Sequence, residues 1–125
     1  MFTPISYITP KNQTYYLDSK STIRQALEKF DNYKFSVVPI VDEEGKFVGT
    51  VSEGDILRYI KNDCNFDISK AESKRIVEID KYRPYKVCDI NAPFIEILKL
   101  SLDQNFIPLV DDRGMYIGII RRSSL

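Results

Sequence analysis

The apolar positions along the chain switch between a helical and a strand period, and the same succession occurs twice. Ile23, Ala26, Leu27 and Phe30 fall at i, i+3, i+4 and i+7, one apolar stripe of a helix. Thr22, with Gln25 three residues later, predicts a capping box at the start of that helix. Pro39-Ile40-Val41, then Asp42-Glu43-Glu44-Gly45, then Lys46-Phe47-Val48-Gly49 reads as a strand, a tight acidic turn closed by glycine, and a second strand. Ile56, Leu57, Tyr59 and Ile60 then predict another helix ending near Lys61-Asn62, and a short strand-like stretch, Tyr15-Tyr16-Leu17, precedes the first helix.

The second occurrence runs Val87-Cys88-Asp89-Ile90, a helix on Phe94, Ile97, Leu98 and Leu102 with Pro93 suited to its first turn, and the hairpin Pro108-Leu109-Val110-Asp111-Asp112-Arg113-Gly114-Met115-Tyr116-Ile117-Gly118. The two prolines lie 69 residues apart (108 − 39), and Pro, Val, Asp and both glycines recur in register. Each half therefore reads β-α-β-β-α, an α+β fold. One half alone is too small to bury its helix stripes and both sheet faces, so two copies packed about a pseudo-twofold are expected. The expected divisions are residues 1–63 for the first repeat with an N-terminal linker, 64–84 for a polar inter-repeat linker with a short helix around Ser69–Ile76, and 85–125 for the second repeat.

Composition narrows the function. Lysine plus arginine and aspartate plus glutamate both number 18, so the basic excess of a nucleic-acid clamp is missing. With no histidine, Ser-His-Asp and Cys-His catalysis, histidine metal sites and the commonest neutral-pH general base are excluded. Cys64 and Cys88 lie far apart without a CxxC partner, so two inert, reduced thiols are expected and no zinc site. No apolar run approaches the roughly 20 residues of a membrane span, and Met1-Phe2-Thr3-Pro4 lacks the charged start of a signal peptide, so the cytoplasm is the expected compartment. No nucleophile–base pair is visible, which points away from an enzyme and from any required cofactor.

Phe35-Ser36-Val37-Val38-Pro39-Ile40-Val41-Asp42, followed by Gly49-Thr50-Val51-Ser52-Glu53-Gly54-Asp55-Ile56-Leu57, resembles the cystathionine β-synthase (CBS) domain. That family's pattern is small-polar, apolar, Pro, Val, Val, Asp, then Gly, two apolar residues, Ser/Thr, two variable residues and Asp. The resemblance covers nearly the whole chain as a tandem pair, a Bateman module. It implies a regulatory, non-catalytic protein that binds adenosine-containing ligands in clefts between the repeats and forms a homodimer. AMP, ADP, ATP and cyclic di-AMP are the implied ligands, with a regulated protein as downstream partner. The rival expectation is a dimerising scaffold whose ligand sites have degenerated.

The residue types suit that chemistry. Ser52, at the start of a helix, can hydrogen-bond a phosphate or ribose oxygen, and Asp55 can accept from the two ribose hydroxyls. The same Ser52-Glu53-Gly54-Asp55 string also fits a capping box with no ligand, and both roles can hold. Adenine needs apolar walls and backbone groups, which the strand Phe35–Pro39 can offer.

The second repeat departs from the pattern. Arg121 stands where Ser/Thr is expected and Ser124 where the aspartate is expected. Arg121 and Arg122 together suit a polyanion, the alternative being solvated surface charge. Leu98 to Pro108 is two residues shorter than Leu27 to Pro39, which shortens the wall at Gln104-Asn105-Phe106-Ile107. The favoured site thus groups Arg121, Arg122 and Ser124 with Thr9, Lys11, Phe35, Ser36 and Val37. A second candidate groups Thr50, Ser52 and Asp55 with Asn105 and Phe106. No closing helix is expected in the second repeat, either trimmed or lost.

Overall fold

The computed structural model describes residues 3–32 and 36–125. The elements in chain order are β1 (Thr9–Pro10), β2 (Leu17–Asp18), α1 (Ile23–Phe30), β3 (Val37–Val41), β4 (Phe47–Ser52), α2 (Glu53–Asp63), α3 (Ile68–Ala71), β5 (Cys88–Asp89), α4 (Phe94–Ser101), β6 (Phe106–Val110) and β7 (Tyr116–Arg121), with short 3-10 turns between them. The fold is α+β. The chain divides into two compact units, one of Tyr16–Glu43 and Val48–Pro84, the other of Met1–Tyr15, Glu44–Phe47 and Tyr85–Leu125.

In the first of these units, a three-stranded sheet of order β2-β3-β4 carries the parallel pair Leu17↔Ile40 and Asp18↔Val41. Helix α1 starts as its sequence predicts: the Gln25 amide donates to Thr22 Oγ1 at 3.2 Å and the Thr22 amide to Gln25 Oε1 at 2.9 Å. Its next unpaired donors are met by a neighbouring segment, with Ile23 N–H reaching Lys74 O and Arg24 N–H reaching Glu72 O. Ile23, Ala26 and Phe30 are buried, joining Leu17, Val38, Ile40, Val51 and Ile56 in one core. Residues 64–84, polar and mixed in sequence, send Cys64, Ala71, Ile76 and Ile79 into that core, so the segment is packed structure.

The other unit is a four-stranded sheet of order β1-β7-β6-β5, backed by α4. Cys88↔Leu109 is parallel, Ile107↔Ile120 antiparallel, and β1 closes the far edge through Thr9↔Ile119 and Pro10↔Gly118. Cys88, Ala92, Ile97, Ile107, Leu109 and Ile120 form its core. The segment Glu44–Phe47 is an edge piece of this unit: Tyr116 N–H donates to Gly45 O at 2.9 Å, and Phe47 N–H donates to Gly114 O at 3.0 Å. Gly45 and Gly114 close their turns at φ +90° and +79°, the left-handed backbone that favours glycine.

The repeat is also visible in single hydrogen bonds. Glu53 N–H donates to Ser36 O at 3.0 Å and Arg122 N–H to Asn105 O at 2.9 Å, both pairs related by the same 69-residue offset.

Three details differ from the sequence expectation. Helix α4 buries Ile97 and Ser101, with Leu100 packed beside them, whereas Phe94 is exposed and Leu102, beyond the last helical residue, is 81% exposed. The helix is apolar on nearly every side, so its periodicity does not choose a face. Pro93 is the N-cap of α4 and lies outside its first turn. On α2, Ile56 is buried and Tyr59 and Ile60 pack against the core, but Leu57 is 63% exposed.

Both cysteines are buried free thiols. Burial pushes Cys88 up to about 11, with the negative charges of Glu96 and Asp89 adding to it. No helix among the described residues is long and apolar enough to cross a membrane.

The β1–β7 edge rests on one glycine. A Cβ at Gly118 would stand 2.2 Å from Thr9 O and 2.9 Å from the Ile8 side chain, at φ +150°. Its repeat partner Gly49 has the similar φ of +153° but nothing within 4 Å. Both alanine variants carry the backbone strain, and only Gly118→Ala carries the overlap. Gly118→Ala should therefore be the less stable by about 1–3 kcal/mol in urea unfolding; equal midpoints would mean that β1 is not held there.

Candidate functional site

The first motif sits where β4 ends and α2 begins. Ser52, the N-cap, accepts the Asp55 amide on its Oγ at 3.0 Å, while Asp55 Oδ2 accepts the Ser52 amide at 2.9 Å. The capping box is therefore complete and reciprocal. Asp55 is only 5% exposed. Its Oδ1 accepts from Arg58 Nη2 at 2.7 Å and from the Tyr82 amide at 2.9 Å. Both the Arg58 and Arg83 guanidinium carbons lie over the Tyr82 ring, 5.1 and 5.4 Å from its centre. Thr50 is buried in β4 two residues upstream. Near this network the Lys81 ammonium donates to Ile76 O, and burial holds Lys81 below the ordinary lysine range, against the opposing pull of Asp55 and Asp80.

The second motif sits at the end of β7. Arg121 is half-buried at the strand's last position, and Arg122 and Ser124 belong to the exposed turn Arg122–Ser124. Arg122 Nε donates to Gln104 O at 3.2 Å, and no carboxylate among the described residues pairs with Arg122. An exposed guanidinium with this little compensation can take a phosphate by paired N–H donors.

Gln104 carries a structural role that the sequence reading did not give it. It is 5% exposed; its Oε1 accepts the Lys86 amide at 2.8 Å, and its Nε2 donates to Lys86 O at 3.0 Å and Phe106 O at 3.1 Å. Two of these bonds clamp Lys86 beside the start of β6. Leaving such buried groups unmet costs about 1–3 kcal/mol each. The only trace in the sequence is a polar residue just before an apolar strand. Phe106 is buried, its ring tilted 59° against Tyr85 with centroids 4.8 Å apart, and Asn105 N–H reaches Tyr85 OH at 3.3 Å.

Asn105 sits beside Arg122, bonded through its carbonyl to the Arg122 amide. Thr9 lies opposite Ile119, two residues before Arg121. Lys11 opens the 3-10 turn that follows β1, beyond the last paired residue Pro10. Its Nζ stands 3.6 Å from where a Gly45 Cβ would be, so Lys11 serves the hairpin end of β7, away from the arginines. Ser36 is exposed, with its carbonyl taken by Glu53 N–H, and Val37 is half-buried at the start of β3. Phe35 lies outside the described residues. Among the described residues no group of three or more His, Cys, Asp or Glu side chains is placed to hold a metal ion.

Comparison with known proteins gives a consistent family. The model of the CBS domain matches residues 6–62 and again 78–125. The uncharacterized protein MJ1426 of Methanocaldococcus jannaschii is 27% identical over 124 residues, spanning 77% of this chain and 74% of its own length. The chloroplastic CBS domain-containing protein CBSX2 of Arabidopsis thaliana is 24% identical over 148 residues, spanning 99% of this chain and 62% of its own. Among solved structures, CbpB in complex with cyclic di-AMP superposes with a TM-score of 0.87 at 23% identity, over 98% of this chain and 81% of that one. CbpB of Listeria monocytogenes, also with cyclic di-AMP, gives 0.85 at 19% identity over 95% and 88%. CBSX2 in complex with AMP gives 0.75 at 24% identity over 99% and 93%. At these identities the structural likeness establishes the fold.

Proposed function

The chain belongs to the CBS domain family, and from that premise we propose that it is a regulatory module that binds an adenosine-containing nucleotide and passes the bound state to a protein partner. The nucleotide is AMP, ADP, ATP or cyclic di-AMP, taken as a regulatory ligand with no further cofactor. The observation that carries this reading is the exposed Arg122, beside Arg121 at the end of β7, with no carboxylate among the described residues to neutralise it. Ser124, in the turn after β7, and Thr9, on β1 opposite Ile119, supply hydroxyls. The ligands of CbpB and CBSX2, cyclic di-AMP and AMP, are of the proposed class. Its role is regulatory, not catalytic, and two buried free thiols suit a cytoplasmic home.

Calorimetric titration tests the phosphate contact. Affinity should rise from adenosine to AMP and again to ADP, by about 10–150-fold per charge-assisted contact, and fall with added salt. Arg121→Ala with Arg122→Ala should flatten the series to the adenosine value. A double variant that keeps the full series would remove the arginines from the site.

We also propose a homodimer. Leu57 and Ile68 in one unit, and Ile95 and Leu102 in the other, are large apolar side chains left exposed on or next to helices. A second copy covering them would remove this apolar area from water. Sedimentation equilibrium at micromolar concentration should give twice the mass of the chain; the monomer mass would contradict this.

A further inference from the structure

A carboxylate offers about four lone-pair directions to donors. Three of those on Asp55 are filled by the protein: Ser52 N–H at 2.9 Å on Oδ2, with Arg58 Nη2 at 2.7 Å and Tyr82 N–H at 2.9 Å on Oδ1. Gripping both hydroxyls of a ribose needs two free directions and access from solvent, and Asp55 is 5% exposed. A sugar would have to eject at least one of these donors from a nearly buried carboxylate. The Tyr82 amide lies 27 residues from Asp55 in sequence and sits in the segment leading to β5. The same segment is gripped a second time, through the Tyr82 ring beside the guanidinium of Arg58, the residue that also donates to Oδ1.

We propose that Asp55 is a positioning residue, not a ligand group: its carboxylate latches residues 80–84 onto the start of α2 and is closed to ribose. The chain then takes one AMP, not two. This second half rests on the nucleotide-binding reading; the latch itself does not.

Hydrogen exchange read by mass spectrometry on the whole ligand-free chain separates the latch from a simple helix cap. Asp55→Ala should speed exchange across residues 80–84 by at least tenfold. Ser52→Ala removes the cap acceptor but leaves the carboxylate, so it should loosen only the first turn of α2. Unchanged exchange at 80–84 in Asp55→Ala, or equal acceleration in both variants, would overturn the latch. If Asp55→Ala does not fold, Tyr82→Pro removes the same bond from the donor side and should speed exchange at Lys81 and Arg83; no change there would be equally fatal. Calorimetry with AMP reads the second half. One AMP per chain, with affinity in Asp55→Ala within twofold of the parent, supports closure. Two AMP per chain, or a tenfold loss in Asp55→Ala, overturns it. If AMP does not bind the parent chain at all, the nucleotide-binding reading and the one-AMP claim fall, and the exchange result alone decides the latch.

Discussion

One backbone hydrogen bond, made twice, sets where the motif of each repeat emerges from its sheet. At the end of each hairpin's second strand an amide turns back to the carbonyl just ahead of the first strand: Glu53 to Ser36, and Arg122 to Asn105. Glu53 and Arg122 are exposed, so water can meet the amide too, and what the protein bond adds is a fixed geometry. Satisfying it stops the second strand at a fixed residue and fixes which side chains emerge at the end of the sheet. In the first repeat these are Ser52 and Asp55; in the second, Arg121, Arg122 and Ser124.

From that shared point the repeats diverge for a physical reason that is local. Ser52 and Asp55 exchange side-chain and backbone bonds, which meets the first donors of α2 and starts an eleven-residue helix. Arg121 offers no such acceptor, and the turn Arg122–Ser124 that follows it carries no side-chain cap. The exchange of a carboxylate for arginines reverses the sign of the charge presented. One repeat end holds a buried acid engaged by three internal donors and the other an exposed, weakly compensated base. Two copies of one fold thereby acquire different chemistry without a change of topology.

Much of the fold was legible in the sequence because the repeat is marked by residues with strict backbone duties. The turn glycines and the strand prolines recur at one offset, and the Thr22–Gln25 box sits at the first turn of α1 as its spacing requires. Helix α4 was less legible, since an all-round apolar helix has no period to read, and Leu102 went to the wrong side of its boundary. The site was legible in residue type and less so in partnership. The capping role of Asp55 follows from Ser52-x-x-Asp55, but its tie to Tyr82 is to a backbone amide, which no residue type announces. Gln104 carried no signal beyond its place, and Lys11, grouped with the arginines on resemblance, stands at the other end of β7.

The central claim is that this chain is a nucleotide-binding regulatory module, and native mass spectrometry of the freshly purified protein tests it most directly. Sprayed from volatile buffer and then titrated with AMP and cyclic di-AMP, the chain should show a discrete added mass of one of these ligands, either retained from the cell or appearing at micromolar concentration. A spectrum that stays at the bare protein mass through the full titration with both ligands would contradict the account.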